Sequence, residues 1–191
     1  MDKMQKNIKD TVSVKGIVTF TNFVLRSKRA KEIEKYLNDA RSIPMSRFQE
    51  LTQELSRICE VRERIVQNLV VLAGRAVFAR RLIGDTTYTG AIDYGVLGTG
   101  SAAPASGNTK LGTEVFRKLF KSRTRITSAA TLGYYYSTTD DDDTYEEFGV
   151  VIDGTASVDT GQLFSRVLTG SWVKTNLEAM TVFITLSTNA S

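Results

Sequence analysis

From Val12 to Leu25 the apolar residues tend to alternate: Val12, Val14, Val18, Phe20 and Val24 share one face, with Lys15, Thr19 and Thr21 on the other. A two-residue period rich in β-branched side chains predicts a strand. Gly16 and Asn22 interrupt the apolar face, and Ile17 and Phe23 break the alternation. Over residues 28–39 the period lengthens. Ile33, Tyr36 and Leu37 share one face of a short amphipathic helix, with Lys28–Glu32 and Lys31–Glu34 at spacings that allow surface pairing. Ser46 opens the longest periodic stretch. Ser46-Arg47-Phe48-Gln49 fits a capping box, and Phe48, Leu51, Leu55, Ile58, Arg62, Ile65, Leu69, Leu72, Ala76, Ala79 and Ile83 recur at heptad spacing. This predicts one helix over 46–83, about 57 Å long at 1.5 Å per residue.

The halves of that helix differ. Before Glu63 the positions off the seam are mostly charged or polar. After Ile65, the residues Val66, Val70, Val71, Val77 and Phe78 make it apolar on most sides, which predicts burial. Residues 46–62 therefore read as a protruding arm whose seam (Phe48, Leu51, Leu55, Ile58) meets another helix or another copy, and 65–83 as a helix packed on a sheet. Gly74, which costs about 1 kcal/mol in a helix interior relative to alanine, marks close packing or a bend. Gly84–Gly90 ends the helix, and strands follow at Ala91–Leu97, Glu114–Phe120, Arg125–Tyr136, Tyr145–Ile152, Gln162–Leu168 and Glu178–Ser187. The expected fold is mainly β with an N-terminal α-helical arm: an antiparallel β-sandwich, jelly-roll or immunoglobulin-like, packed on a long helix. The expected organisation is an N-terminal segment and first strand (1–27), a helical arm (28–64) and a β-sandwich domain (65–191) with its packing helix 65–83.

Composition narrows the chemistry. The 191 residues contain no histidine and one cysteine, Cys59. Triad hydrolysis in its usual form and the commonest zinc ligand are thereby excluded. Cys59, in a helical pattern, reads as a packed small hydrophobe. No apolar run reaches the roughly 18 residues of a membrane span, and Met1–Lys6 is polar with no apolar signal core. The net charge of +4 divides unevenly: residues 1–82 hold 17 Lys/Arg against 9 Asp/Glu, and residues 83–191 hold 8 against 12. Such asymmetry suits a basic helix on a mildly acidic β domain, or head-to-tail pairing between copies. Nucleic acid is not the expected partner, because the cations are interspersed with acids and lack a stacking platform.

Four features carry candidate chemistry. Gly95-x-x-Gly98-x-Gly100 has the glycines of a phosphate-binding turn, but a loop and a strand follow instead of a helix. Asp140-Asp141-Asp142-Asp143 could supply part of the six to eight oxygens that calcium takes; the alternative, adopted here, is a solvated hairpin tip, with no cofactor or metal assigned. Tyr134-Tyr135-Tyr136 with Tyr145 and Phe148 could present an aromatic glycan-binding surface or simply stabilise a sheet. Trp172 is a candidate interface anchor.

Several ordered motifs resemble those of tailed-bacteriophage virion structural proteins of the tail or fibre-attachment type. They are Tyr94–Ala105 (YGVLGTGSAAPA) with Leu111-Gly112-Thr113-Glu114-Val115-Phe116-Arg117, Gln67–Arg75 (QNLVVLAGR), Tyr145–Gly154 (YEEFGVVIDG), Gly161–Leu168 (GQLFSRVL), and Lys174-Thr175 before the last strand. They cover roughly residues 67–187 in order. The resemblance implies a β-sandwich virion component without enzymatic activity, located in the phage or prophage particle and made in the host bacterial cytoplasm. It would sit in the tail, baseplate or fibre attachment, or alternatively act as a capsid decoration or neck protein or a receptor-binding module. Its partners would be itself, as a trimer or hexamer, other virion proteins and a host surface receptor, but no membrane. Arg117 and Arg166 would serve structural ion pairing with Glu114 or Glu147. Phe48, Leu51, Leu55, Ile58 and Trp172 are the expected contacts with a neighbouring subunit or partner.

Overall fold

The computed structural model describes residues 12–190. In chain order they form β1 (Val12–Val24), α1 (Lys28–Asp39), α2 (Met45–Ile58), β2 (Glu60–Val70), α3 (Leu72–Leu82), β3 (Ile92–Gly98), β4 (Glu114–Leu119), β5 (Ser122–Ile126), β6 (Ala129–Tyr136), β7 (Asp143–Ile152), β8 (Gln162–Lys174) and β9 (Glu178–Ala190). The segment 1–10, read from sequence as polar, lies outside the described residues. The strands make one antiparallel sheet in the order β4-β3-β7-β8-β2-β1-β9-β6-β5. The sheet is curled, so that its two halves face one another across an apolar interior. Phe20 of β1 meets Phe148 of β7 edge to face, centroids 5.5 Å apart, and Tyr134 of β6 meets the same Phe148 at 6.1 Å. β4 and β5 are the sheet's two edges, yet they are consecutive in the chain. The link between them hydrogen-bonds both ways, Phe120 N–H to Asp93 O and Lys121 N–H to Gly133 O, which draws the edges towards closure.

The mainly β, antiparallel expectation holds, and the strand at 12–25 is β1. The single helix over 46–83 is corrected. α2 stops at Ile58, residues 60–70 are a strand paired along β1, and α3 begins at Leu72. The physical reason is that Val61, Ile65, Val66 and Val70 are β-branched and suit a ladder, while pairing with β1 satisfies a full row of backbone groups. The misleading heptad arose because β2 is patterned against its burial. Val61, Ile65 and Leu69 face outward and are exposed, whereas Arg62 and Arg64 lie on the inward row with Val66, Asn68 and Val70. The capping box also does not form: Pro44 occupies the N-cap of α2 with no side-chain cap, while α1 is capped by Ser27 Oγ accepting from Ala30 N–H at 3.1 Å.

Nor is the helical segment a protruding arm. α1 and α2 lie against the outer face of the β1–β9–β6 part of the sheet and enclose a second core of Phe23, Ile33, Leu37, Phe48, Leu51, Leu55, Tyr135 and Ala179. Phe48 is the key of this docking. Its ring sits over Gly133, where a Cβ would collide with it, and packs on Phe183 with centroids 5.1 Å apart. α3 docks on the other half, where Gly74 lets its backbone approach Phe164 of β8; any Cβ there would strike the Phe164 backbone. Gly74 thus marks close packing.

Candidate functional site

The glycine-rich segment that most resembles a ligand-binding loop is built around an internal ion pair. Residues 99–113 leave β3 and cover the outer face of β3, β7 and β8, where Leu111 joins Val71, Val96, Val151 and Leu163 in a third small core. Below them lies Glu147 of β7, fully buried. Its carboxylate accepts from the backbone N–H groups of Gly100 (3.1 Å), Gly112 (3.0 Å) and Thr113 (2.8 Å), and from Arg166 Nε at 2.6 Å. Arg166, equally buried, donates onward to Asn108 Oδ1 (3.0 Å) and Ala102 O (2.9 Å), and Asn108 Oδ1 also accepts from Ala105 N–H. A buried carboxylate is tolerated only when paired and hydrogen-bonded, and here Glu147 accepts four hydrogen bonds. A Cβ at Gly100 would strike Glu147, and one at Gly98 would strike Thr113 O and then Glu147. The N–H groups of Gly100, Gly112 and Thr113 are therefore occupied by protein, not aimed at a ligand.

A second pair repeats this device. Arg117 on β4 grips Glu114 with both Nε (2.5 Å) and Nη2 (2.7 Å). Its Nη1 donates to Thr155 O and Thr160 O, and Asp159 N–H donates to Glu114, so the loop after β7 is pinned. The expected structural ion pairing of Arg117 and Arg166 with Glu114 or Glu147 is present, and the structure assigns Glu114 to Arg117 and Glu147 to Arg166.

The remaining candidates sit as follows. Tyr134, Tyr135, Tyr136 and Tyr145 are buried, so they present no aromatic surface for a glycan. Burial raises all four phenols well above their usual range. The hydroxyls of Tyr134, Tyr135 and Tyr136 have no partner among the described residues, whereas Tyr145 donates to Asp141 O. In the β6–β7 turn Asp140 pairs with Lys118, and Asp142 pairs with Lys174 at 3.0 Å. No group of three or more acidic or cysteine side chains gathers to hold a metal among the described residues. Cys59 caps α2, half-buried, and burial pushes its thiol up, away from nucleophilic use.

The expected contact residues are largely spent inside the subunit. Phe48, Leu51 and Leu55 belong to the core beneath α1 and α2, and only Ile58 keeps substantial exposure. Trp172 is buried too. Its Nε1 donates to Asn22 Oδ1 at 2.9 Å, and the guanidinium groups of Arg62 and Arg64 lie 4.5 and 5.5 Å from its ring centroid. As external contact points these four are corrected to internal packing, because the sheet curls over Trp172 and α2 folds onto the sheet.

What sequence reasoning missed lies at one end of the curled sheet. A cavity of about 560 Å³ opens between the start of β3, the β5–β6 hairpin and α3. Val14, Phe78, Ile92, Leu132, Phe164 and Leu186 form its apolar walls; Arg123 and Arg125 also line it, and among the described residues no acid does. Exposed apolar side chains occur on the same elements: Phe78 (46% accessible) and Leu82 (88%) on α3, Ile83 (82%) just after it, and Ile126 (71%) on β5, on the strand face opposite Arg123 and Arg125. The available signal was the run Val77-Phe78 and Leu82-Ile83 next to Arg80 and Arg81, which was read as buried. No helix of the described residues is long and apolar enough to cross a membrane. Compared with known proteins, the chain matches no family model, no curated protein and no solved structure.

Proposed function

We propose that this chain is a non-enzymatic structural component of a tailed-phage or prophage particle, of the tail, baseplate or fibre-attachment kind. It acts through homo-oligomerisation and contacts with other virion proteins. In this reading the curled sheet serves as the β-sandwich-like body. The phage assignment rests on the ordered sequence motifs. The assembly role rests on one observation, an apolar cavity whose wall includes the partly exposed Phe78, on elements that also carry the exposed Leu82, Ile83 and Ile126. Apolar surface left open to solvent favours a protein contact. The acids and arginines that could suggest catalysis are engaged in ion pairs that hold loops. Light scattering on the purified chain over a range of concentrations tests the reading. A trimer or hexamer supports it; a monomer at every concentration overturns self-assembly.

A further inference from the structure

Resting on that assembly reading, we infer that one copy docks on the next head to tail, the β6–β7 and β8–β9 turns of one entering the arginine-rimmed cavity of the other. The two ends of the curled sheet differ in kind. At one end, marked by Val14, the β5–β6 turn and Thr188, the apolar cavity is lined by Arg123, whose guanidinium lies over the Phe120 ring, and Arg125, which donates to Thr127 O, with Arg81 nearby on α3 against Gly90; neither Arg123 nor Arg125 has a carboxylate partner among the described residues. At the other, the pairings Val24↔Glu178 and Tyr136↔Met180 bring together the turns 137–142 and 175–177. β9 has 13 residues, so the ends are about 40 Å apart at about 3.3 Å per residue.

The far end carries the features that the cavity lacks. Asp140 and Asp142 are neutralised by Lys118 and Lys174, but the side chains of Asp141 and Asp143 take part in no ion pair among the described residues. The same end carries an exposed apolar side chain, Leu177 (67% accessible) on the β8–β9 turn, and Val173 on the outer face of β8. The exposed Lys28, Lys31 and Lys35 of this end belong to the outer face of α1. An apolar knob with two carboxylates is the complement of an apolar hole with two guanidinium groups, and arginine–carboxylate pairs supply geometry as well as attraction. A second copy is favoured over an unrelated partner because both halves of the match stand on the same chain at opposite ends. Such a contact is heterologous, so it repeats until a ring closes or a filament grows.

A charge-exchange experiment tests the docking. One variant carries Arg123→Glu and Arg125→Glu; the other carries Asp141→Lys and Asp143→Lys. All four residues are solvent-accessible, and circular dichroism with urea unfolding verifies that each variant folds. Light scattering is expected to report monomers for each variant alone and oligomers for their equimolar mixture, at the wild-type mass where the ring holds an even number of copies, since the two contacts in the mixture, one reversed and one wild-type, both pair opposite charges. The wild-type oligomer should also weaken at high salt, which screens such pairs. If either variant alone keeps the wild-type mass, or if the mixture stays monomeric, the docking is wrong while assembly through another surface stands. A wild-type chain that is monomeric at every concentration removes both readings together.

Discussion

Helices α2 and α3 have comparable lengths and opposite fates. α2 carries a clean amphipathic pattern and spends it at home: Phe48, Leu51 and Leu55 are buried against the sheet and α1, leaving polar residues outside. α3 has apolar residues on most sides, and only Gly74 and Val77 are buried; Leu72, Phe78, Leu82 and Ile83 remain exposed. A helix satisfied within its own chain needs one apolar stripe. One that also carries an outward apolar face has something left over, and Phe78 of that surplus lines the cavity. The same contrast holds for polar groups. Glu147 and Arg166 are paired by a buried salt bridge, whereas Arg123, over the Phe120 ring, and Arg125, bonded only to Thr127 O, stay exposed beside the cavity. Density of internal partners, more than chemical suggestiveness, separates what maintains this fold from what it offers outward.

The contrast can be broken most sharply at Glu147. Glu147→Ala leaves Arg166 buried without its carboxylate and three N–H groups without an acceptor, and should cost about 3–5 kcal/mol. Urea unfolding would measure it, and a loss below about 1 kcal/mol would mean that the loop 99–113 is not held by this pair. Phe48→Ala comes next. It empties the site over Gly133 and should cost about 3–5 kcal/mol as well, as for other buried aromatics; an unchanged unfolding midpoint with a reduced oligomer mass would return α2 to an interface role. For α3 the pattern reverses. Leu82→Ser with Ile83→Ser should shift stability by no more than about 0.5 kcal/mol yet lower the mass seen by light scattering, and a large stability loss with intact mass would place these side chains in the subunit's own packing. The smallest effect is expected at Tyr136→Phe. Its buried hydroxyl has no partner among the described residues, so removal should be neutral or slightly stabilising, within about 1 kcal/mol; thermal unfolding that shows a clear loss would reveal a hydrogen bond at that oxygen.

Much of the β framework was legible from the chain. Alternation placed β1, β3, β4, β7 and β9, and the motifs pointed to structural ion pairing for Arg117 and Arg166 without deciding which glutamate each takes. The hairpin inside 125–136 was not, because Ser128 and its neighbours form a turn too short to interrupt the alternation. β2 was misread because its inward row holds Arg62 and Arg64, which cover Trp172 with their guanidinium faces, so burial there does not follow hydropathy. Trp172 itself was ambiguous, since a large amphipathic ring suits a core and an interface equally.

Taken alone, the order of residues determined local periods: where a strand can alternate, where a helix can expose a stripe, where glycine must admit a close neighbour, and that histidine chemistry is absent. Those are properties of near neighbours along the backbone. Which apolar stripe meets which face was decided only when the sheet curled, because burial is a relation between segments far apart in sequence. Phe48 found Gly133, Gly74 found Phe164, and Glu147 gathered N–H groups from a loop more than thirty residues away. The apolar residues left over after those pairings, at the end of α3 and around the cavity, could be recognised as surface only once every other apolar stripe had found its partner.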